Sequence, residues 1–232
     1  MHDFFKNHKV MLAPMAGVND VVFRKLCIEN GAQLTYTEMI SSKGLSYKND
    51  KTESLLDLAD NETQVVVQIF GHEPQVMAAQ SASISEKLGD KLAYLDINMG
   101  CPVKKLVKKG EGSALMKTPD LAAEIVKACV QESKVPVTVK FRRGYNTGNE
   151  TCVDFARLME QSGASAVAVH GRYATQFYRG KCSWDAIKRV ADAVSIPVIG
   201  SGDITNAQNA NKAFENYGVA AIMIGRAAQG NP

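Results

Sequence analysis

Short apolar runs recur along the chain at Val10–Met15, Leu34–Met39, Val65–Phe70, Tyr94–Met99, Val137–Phe141, Ala166–His170, Val198–Gly200 and Ala221–Ile224. Most are near-continuous in Val, Ile and Leu rather than alternating. Strands buried on both faces have this pattern, as in a parallel sheet. Amphipathic stretches with helical spacing lie between most of them, and their ends are legible. Asp20 predicts an N-cap for a helix running to Asn30, with Gly31 as its stop. Thr118-Pro119-Asp120 offers a cap, a first-turn proline and a first-turn acid. The helix that follows carries Leu121, Ala122, Ile125, Val126, Cys129 and Val130 at helical spacing. Ser183 and Thr205 read as two further caps, Gly163 and Gly218 as two further stops. The connection between the second and third runs is the least regular.

Eight strands alternating with helices in 232 residues predict an α/β fold of the (β/α)8 or TIM-barrel type, one domain over residues 1–232. A doubly wound open sheet is the alternative. The barrel reading makes a demand that can be checked in the sequence. Parallel strands place their C-terminal ends on one face, so polar residues belong where each apolar run gives out. Seven of the eight runs meet it, with Glu38, Gln68, Asn98 and Cys101, Lys140, His170, Ser201-Gly202-Asp203, and Gly225-Arg226.

Composition narrows the class further. With 45% hydrophobic and 22% charged residues the chain is neither disordered nor fibrous, and no run of about 18 apolar residues predicts a membrane span. The opening Met1-His2-Asp3-Phe4-Phe5-Lys6 carries an acid and no long apolar region, unlike a signal peptide. Five cysteines, an odd number without a C-x-x-C pair, predict reduced thiols in a cytoplasmic protein and no metal site. The net charge of +3 names no partner. Its distribution says more, because Lys104, Lys105, Lys108 and Lys109 cluster, as do Lys140, Arg142 and Arg143. A charge run is usually a solvated face, and it becomes a binding surface only if both runs share one site.

Several of these residues bear chemistry. The glycine turns Gly200-Ser201-Gly202-Asp203 and Gly225-Arg226 follow the seventh and eighth runs, where barrels commonly hold a phosphate. Glycine lets backbone N–H groups approach the anion, and Arg226 adds a charged fork. Lys140 ends an apolar strand and could form a Schiff base, hold a phosphate or stabilise a reduced cofactor's anion. Gln68 offers a donor and an acceptor suited to a heterocycle's edge. Cys27 and Cys129 lie on helical apolar faces and read as core. Cys101, between Gly100 and Pro102, is instead presented by a turn. An ordinary thiol pKa suits a general acid, whereas nearby lysines favour thiolate, and spacing leaves that choice open.

At these residues the chain resembles the tRNA-dihydrouridine synthases of the bacterial type. The resemblance is carried by Ala13-Pro14-Met15-Ala16-Gly17-Val18, Val67-Gln68-Ile69-Phe70-Gly71 and Asp96-Ile97-Asn98-Met99-Gly100-Cys101-Pro102-Val103-Lys104-Lys105. Gly112-Ser113-Ala114-Leu115-Met116, Val139-Lys140-Phe141-Arg142, Val169-His170-Gly171-Arg172 and Gly225-Arg226-Ala227-Ala228-Gln229-Gly230-Asn231-Pro232 extend it over nearly the whole chain. It implies an FMN cofactor, recharged by NADPH or less often NADH, and tRNA as partner. Pro14, Met15 and Ala16 would contact the flavin, Gln68 its pyrimidine edge, and Lys140 and His170 the ring or its tail. Ser201, Gly202, Asp203, Gly225 and Arg226 would hold the ribityl phosphate. Asn98 would face the uracil, with Lys104, Lys105, Arg142 and Arg172 also on the substrate side. Hydride would reach C6 of a uridine and Cys101 would protonate C5.

Departures from the family pattern are Ser201 for asparagine, Tyr173-Ala174 for threonine-arginine and Asn19 for threonine. The family continues past Gly-Asn-Pro into a helical domain, which would begin where this chain stops at Pro232. Two other readings are a flavin barrel acting on a free pyrimidine and a truncated RNA-binding remnant without turnover. The lysine-rich loop argues against the first, and intact Cys101, Lys140 and Gln68 against the second.

Overall fold

Every apolar run becomes a strand. In the computed structural model, which describes residues 1–232, they are β1 (Val10–Leu12), β2 (Tyr36–Ser41), β3 (Val65–Phe70), β4 (Leu92–Met99), β5 (Val137–Gly144), β6 (Ala166–Tyr173), β7 (Val198–Ser201) and β8 (Ala221–Ile224). All pair in parallel in the order β1-β8-β7-β6-β5-β4-β3-β2. A bridge from Met11 to Leu34, with Leu12 N–H donating to Leu34 O at 3.0 Å, joins β1 to β2 and closes the circle. Closure makes this a (β/α)8 barrel and excludes the open sheet.

Two apolar layers form because strand side chains alternate between faces. Outside, 37 buried residues lie between strands and helices. Inside, Met11, Tyr36, Val66, Tyr94, Ala168 and Met223 belong to a smaller cluster that Phe5, from the helix His2–Asn7, also joins. Burying each large apolar side chain contributes about 1.5–3 kcal/mol. The inward parity that buries Tyr94 on β4 carries Asp96 and Asn98 further up, and on β5 the inward positions are Thr138, Lys140 and Arg142. The barrel interior therefore changes from apolar at the bottom to polar at the C-terminal mouth.

Helix ends follow the caps in most places. Asp20 accepts from Phe23 N–H at 2.7 Å to begin Val21–Glu29, and Ser183 accepts from Ala186 N–H to begin Trp184–Ala191. Gly31, Gly163 and Gly218 take positive φ after their helices. Thr205 is not a cap: Asn206 accepts from Asn209 N–H, and Thr205 Oγ1 donates to Asn209 Oδ1 instead. Thr118 precedes Pro119–Glu132 without a side-chain cap, so the proline and the first-turn acid Asp120 mark that start.

Four strands, β1, β2, β5 and β6, have boundaries that differ from the pattern. The first strand ends at Leu12, releasing Ala13–Met15 into the mouth. A register shift between Tyr36 and Met39 moves β2 toward the C-terminus, so Glu38 lies within the strand and not at its end. Glu38 still serves the mouth, because its Oε2 accepts from Gly17 N–H at 2.5 Å and ties down the first loop. Strands β5 and β6 outrun their apolar stretches, so Arg142, Arg143 and Arg172 are strand residues rather than loop residues. The irregular connection after β2 is two short helices and a 3-10 turn. It is pinned by buried Arg24, which donates to Glu62 Oε1 and Oε2 at 2.7 and 3.0 Å and to Asp57 O at 2.6 Å. No helix is long and apolar enough to cross a membrane.

Candidate active site

The loops at the C-terminal mouth surround a cavity of about 690 Å³. Cys101 shares it with both glycine turns: Ser201, Gly202 and Asp203 after β7, Gly225 and Arg226 after β8. Pro14, Met15 and Ala16 line it from the first loop. Gln68, Asn98, Lys140, Arg142, His170 and Arg172 line it from within β3, β4, β5 and β6. Lys140 and His170 therefore do not end their strands, which run on to Gly144 and Tyr173. Lys104 and Lys105 do not; they sit on an adjoining helical turn, Lys104–Val107, exposed on the rim.

A buried hydrogen-bond chain fixes the thiol loop. Asp96, fully buried, accepts from Thr138 Oγ1 at 2.5 Å and from Gln68 Nε2 at 2.7 Å. An ionised carboxylate only accepts, so Gln68 must turn its Oε1 the other way, where Asn98 Nδ2 donates to it at 2.8 Å. Asn98 Oδ1 then accepts from Gly100 and Cys101 N–H at 3.2 and 2.9 Å. Asn98 is thus largely committed to shaping the turn, while Gln68 keeps one donor and one acceptor. Behind the loop, Ser113 N–H donates to Cys101 O at 3.0 Å, and a side chain at Gly112 would come within 2.7 Å of that oxygen.

Burial decides the protonation states. The Cys101 thiol is pushed above its ordinary value by desolvation, against the pull of Val103 N–H, Arg142 and Lys140. The protonated form is therefore favoured at neutral pH, as a proton donor needs. Desolvation, then Arg142, brings Lys140 down to about 8, so it is still charged at neutral pH. The same burial lifts Asp96 to about 6. His170 is held well below its usual range by burial and four cationic neighbours. Arg172 Nη1, a donor only, lies 3.3 Å from its Nε2, so the neutral ring carries its proton on Nδ1.

The arginines divide into two kinds. Arg142 donates to Gly100 O, Tyr173 O and Phe177 O, leaving only Nη2 without a protein partner. Arg172 is occupied by Arg179 O, Gly180 O and both Asp203 oxygens, which makes it a strut between β6 and the β7 turn. Asp203 in turn stays ionised: burial opposes this, but Cys182 N–H and Arg172 outweigh it. Arg226 is different. It is exposed, its guanidinium makes no hydrogen bond or ion pair within the chain, and it lies over the Tyr178 ring at 4.7 Å.

Sequence reasoning missed Tyr178, which lines the cavity between Arg142 and Arg226, and missed Asp96 and Thr138 beneath it. Asp96 is polar inside an apolar run, which was the signal available. The glycines after β7 answer to sterics: at Gly200 a Cβ would strike the Trp184 ring at 2.5 Å. At Gly202, φ is +120° and a Cβ would meet Cys182 Sγ at 2.6 Å and His170 Cδ2 at 2.9 Å.

A closed (β/α)8 barrel with a thiol, cations and an amide converging on its C-terminal mouth is the architecture of an enzyme. Comparison with known proteins gives the class. The family model described as dihydrouridine synthase matches residues 11–232. tRNA-dihydrouridine synthase B of Vibrio vulnificus is 45% identical over 226 residues, 97% of this chain and 69% of that protein. Its counterpart in Proteus vulgaris is 44% identical over 223 residues, covering 96% and 68%. The probable tRNA-dihydrouridine synthase of Rickettsia bellii is 42% identical over 224 residues, covering 96% and 68%. This chain belongs to the dihydrouridine synthase family, a family of oxidoreductases.

Proposed function

We propose that the protein reduces the C5–C6 bond of a uridine in tRNA, using FMN recharged by NADPH or, less effectively, NADH. The observation that carries this reading is the shared cavity, in which a thiol kept protonated by burial opens beside two glycine turns and an unpaired arginine.

These residues fit FMN. Arg226 has no protein partner, Gly202 leaves backbone bare where a Cβ has no room, and about 690 Å³ lies within the usual 300–1,000 Å³ range of ligand sites. Arg226, Gly225, Ser201 and the backbone of Gly202 and Asp203 would hold the phosphate. The Asp203 carboxylate, turned to Arg172, adds no free charge there. Pro14, Met15 and Ala16 would lie against the ring, with Gln68 and Lys140 at its pyrimidine edge and His170 offering Nδ1–H. When bound, FMN supplies the hydride, taken from NADPH and passed to C6 of the uridine.

The chain's own residues do the rest. Hydride addition at C6 leaves negative charge toward C5, which must be quenched by a positioned acid. Cys101 Sγ holds that proton, gives it to C5, and regains one from solvent. Lys140 and Arg142 attract the thiolate that this leaves. Asn98 positions the acid and borders the uracil, and Arg142 Nη2 completes the substrate side. Arg172, occupied by Asp203 and two carbonyls, supports it from behind. A stacked uridine must be flipped out to reach the thiol, at a cost of roughly a few kcal/mol, while phosphate contacts hold the RNA. Lys104 and Lys105 supply such contacts on the rim.

The test begins with colour: purified protein should carry a flavin spectrum that NADPH bleaches. It should then form dihydrouridine in tRNA from cells lacking this gene. Protein that takes up no FMN would refute the reading, and so would tRNA left unmodified by flavin-loaded protein. The enzyme is expected to work in the cytoplasm, where tRNA and NADPH are both present.

A further inference from the structure

A second hollow, of about 200 Å³, opens on the same rim. Pro102, the residue after the thiol, forms part of the wall of both cavities. Its lining interleaves cations and rings, with Lys104, Lys108, Tyr145, Thr175 and Phe177 around it and no acidic residue. Neither lysine makes an ion pair within the chain, and a third, Lys117, lies over the Tyr145 ring at 4.4 Å.

Phe177 is the unusual member. It is 39% exposed, and its φ of 54° lies in the left-handed region that a phenylalanine rarely enters. Arg142 holds it there by donating to Phe177 O at 2.7 Å and Tyr173 O at 3.1 Å, while Gln176 Oε1 accepts from Tyr173 N–H at 2.8 Å. The same backbone sends the next residue, Tyr178, to the main cavity. Two consecutive aromatic residues thus serve two neighbouring hollows. A ring held this way leaves part of its apolar surface open to a flat, apolar-faced ligand.

We propose that the second hollow receives the base of the nucleotide next to the reacting uridine on the same RNA strand. The base would stack on Phe177, and its phosphate would lie between Lys104 and Lys108. This rests on the reading that the substrate is a uridine within RNA. A volume of 200 Å³ suits one base, not a helix, and alternating cations and rings is how proteins bind unpaired nucleotides. Extruding one base unstacks its neighbour, so a stacking surface one residue from the acid offsets that loss where it arises.

Phe177→Ala and Phe177→Trp in the flavin-loaded full chain test it, with tRNA from a strain lacking dihydrouridine as the probe. Phe177→Ala should raise KM for tRNA about 5- to 100-fold, the range of one lost base stack, with flavin reduction by NADPH unchanged. Phe177→Trp should restore KM, and tRNA should quench its emission above the background of Trp184, the one native tryptophan. Wild-type KM in Phe177→Ala would overturn the subsite, and so would emission from Phe177→Trp that tRNA leaves unquenched. Equilibrium tRNA binding separates the two proposals. If wild type binds tRNA without reducing it, the proposed function fails alone, and the affinity of Phe177→Ala still decides the subsite. If it binds no tRNA, both fail.

Discussion

Lys140→Met should stabilise the protein at neutral pH, in flavin-free preparations, although it removes a residue assigned to the site. Lys140 has no hydrogen-bond partner among its neighbours, and burial brings its pKa from 10.5 down to about 8. At 1.36 kcal/mol per unit, holding that charge in the barrel costs about 3 kcal/mol at pH 7. An opposing effect comes from Asp96, which loses a favourable cation. The two form no ion pair, however, and Asp96, already lifted to about 6, can take up a proton at pH 7 for no more than about 1.4 kcal/mol. Relief therefore wins by about 2 kcal/mol, or roughly 4–8 °C in Tm for a chain of this size. The sign with pH follows from linkage. Folded Lys140 sheds its proton near 8 and the unfolded lysine near 10.5, so wild-type stability rises between those values. The variant's advantage should be full at pH 7 and below about 1 kcal/mol at pH 10. Urea denaturation of both proteins at the two pH values measures it. A difference independent of pH, or a variant less stable at pH 7, would refute the argument.

Three further outcomes follow from the same geometry. Cys101→Ala should keep flavin bound and reducible by NADPH while dihydrouridine formation falls about 10²- to 10⁴-fold, the usual worth of a positioned acid; loss of the flavin in an absorbance spectrum would mean the thiol has another role. Gly202→Ala forces a Cβ to within 2.6 Å of Cys182 Sγ at φ +120°, so FMN affinity by titration should drop at least about tenfold, and unchanged affinity would remove this turn from the phosphate site. Arg24→Ala leaves buried Glu62 with only Thr35 Oγ1 and Ala59 N–H, and should cost about 3–5 kcal/mol in urea denaturation. A loss under about 1 kcal/mol would show that the carboxylate simply neutralises.

The barrel was legible because its strands are buried on both faces, which writes them as unbroken Val-Ile-Leu runs that no other element in a chain this short imitates. Residues with free polar ends were legible for a related reason. Lys140, His170 and Arg226 interrupt or follow apolar runs, and each lines the cavity. What stayed hidden depends on register and on sequence-distant contact. The bulge that moves β2 past Glu38 has no local signature. The extension of β5 and β6 through Arg142 and Arg172 comes from hydrogen bonds to a loop that ends β6, not from hydrophobicity. The burial of these two arginines, 4% and 3% exposed, was therefore not visible in the charge pattern. Thr205 and Asn206 are both good capping residues, and only the path of the backbone chooses between them.

Desolvation acts on the thiol, the imidazole and the lysine of the mouth in one sense, toward the neutral form, and the consequences differ with the group. The thiol becomes a better proton reservoir, the imidazole loses its charge, and the lysine is brought close to release. Arg142 and Arg172 are held in the mouth by carbonyls, which replace part of the solvation they lost to burial. On the proposed reading, a mouth built this way would attract an anion through Arg226 while keeping the Cys101 thiol protonated, two demands that conflict on an open surface, where nearby cations favour thiolate. The conflict is resolved by depth. Arg226 stands at the exposed edge, while Cys101 is held deeper by a hydrogen-bond chain that begins at a carboxylate no solvent reaches. Asp96 thus holds the Cys101 loop in place through Gln68 and Asn98 from a position no solvent reaches, which is why its polarity inside an apolar run did not by itself mark it as part of the site.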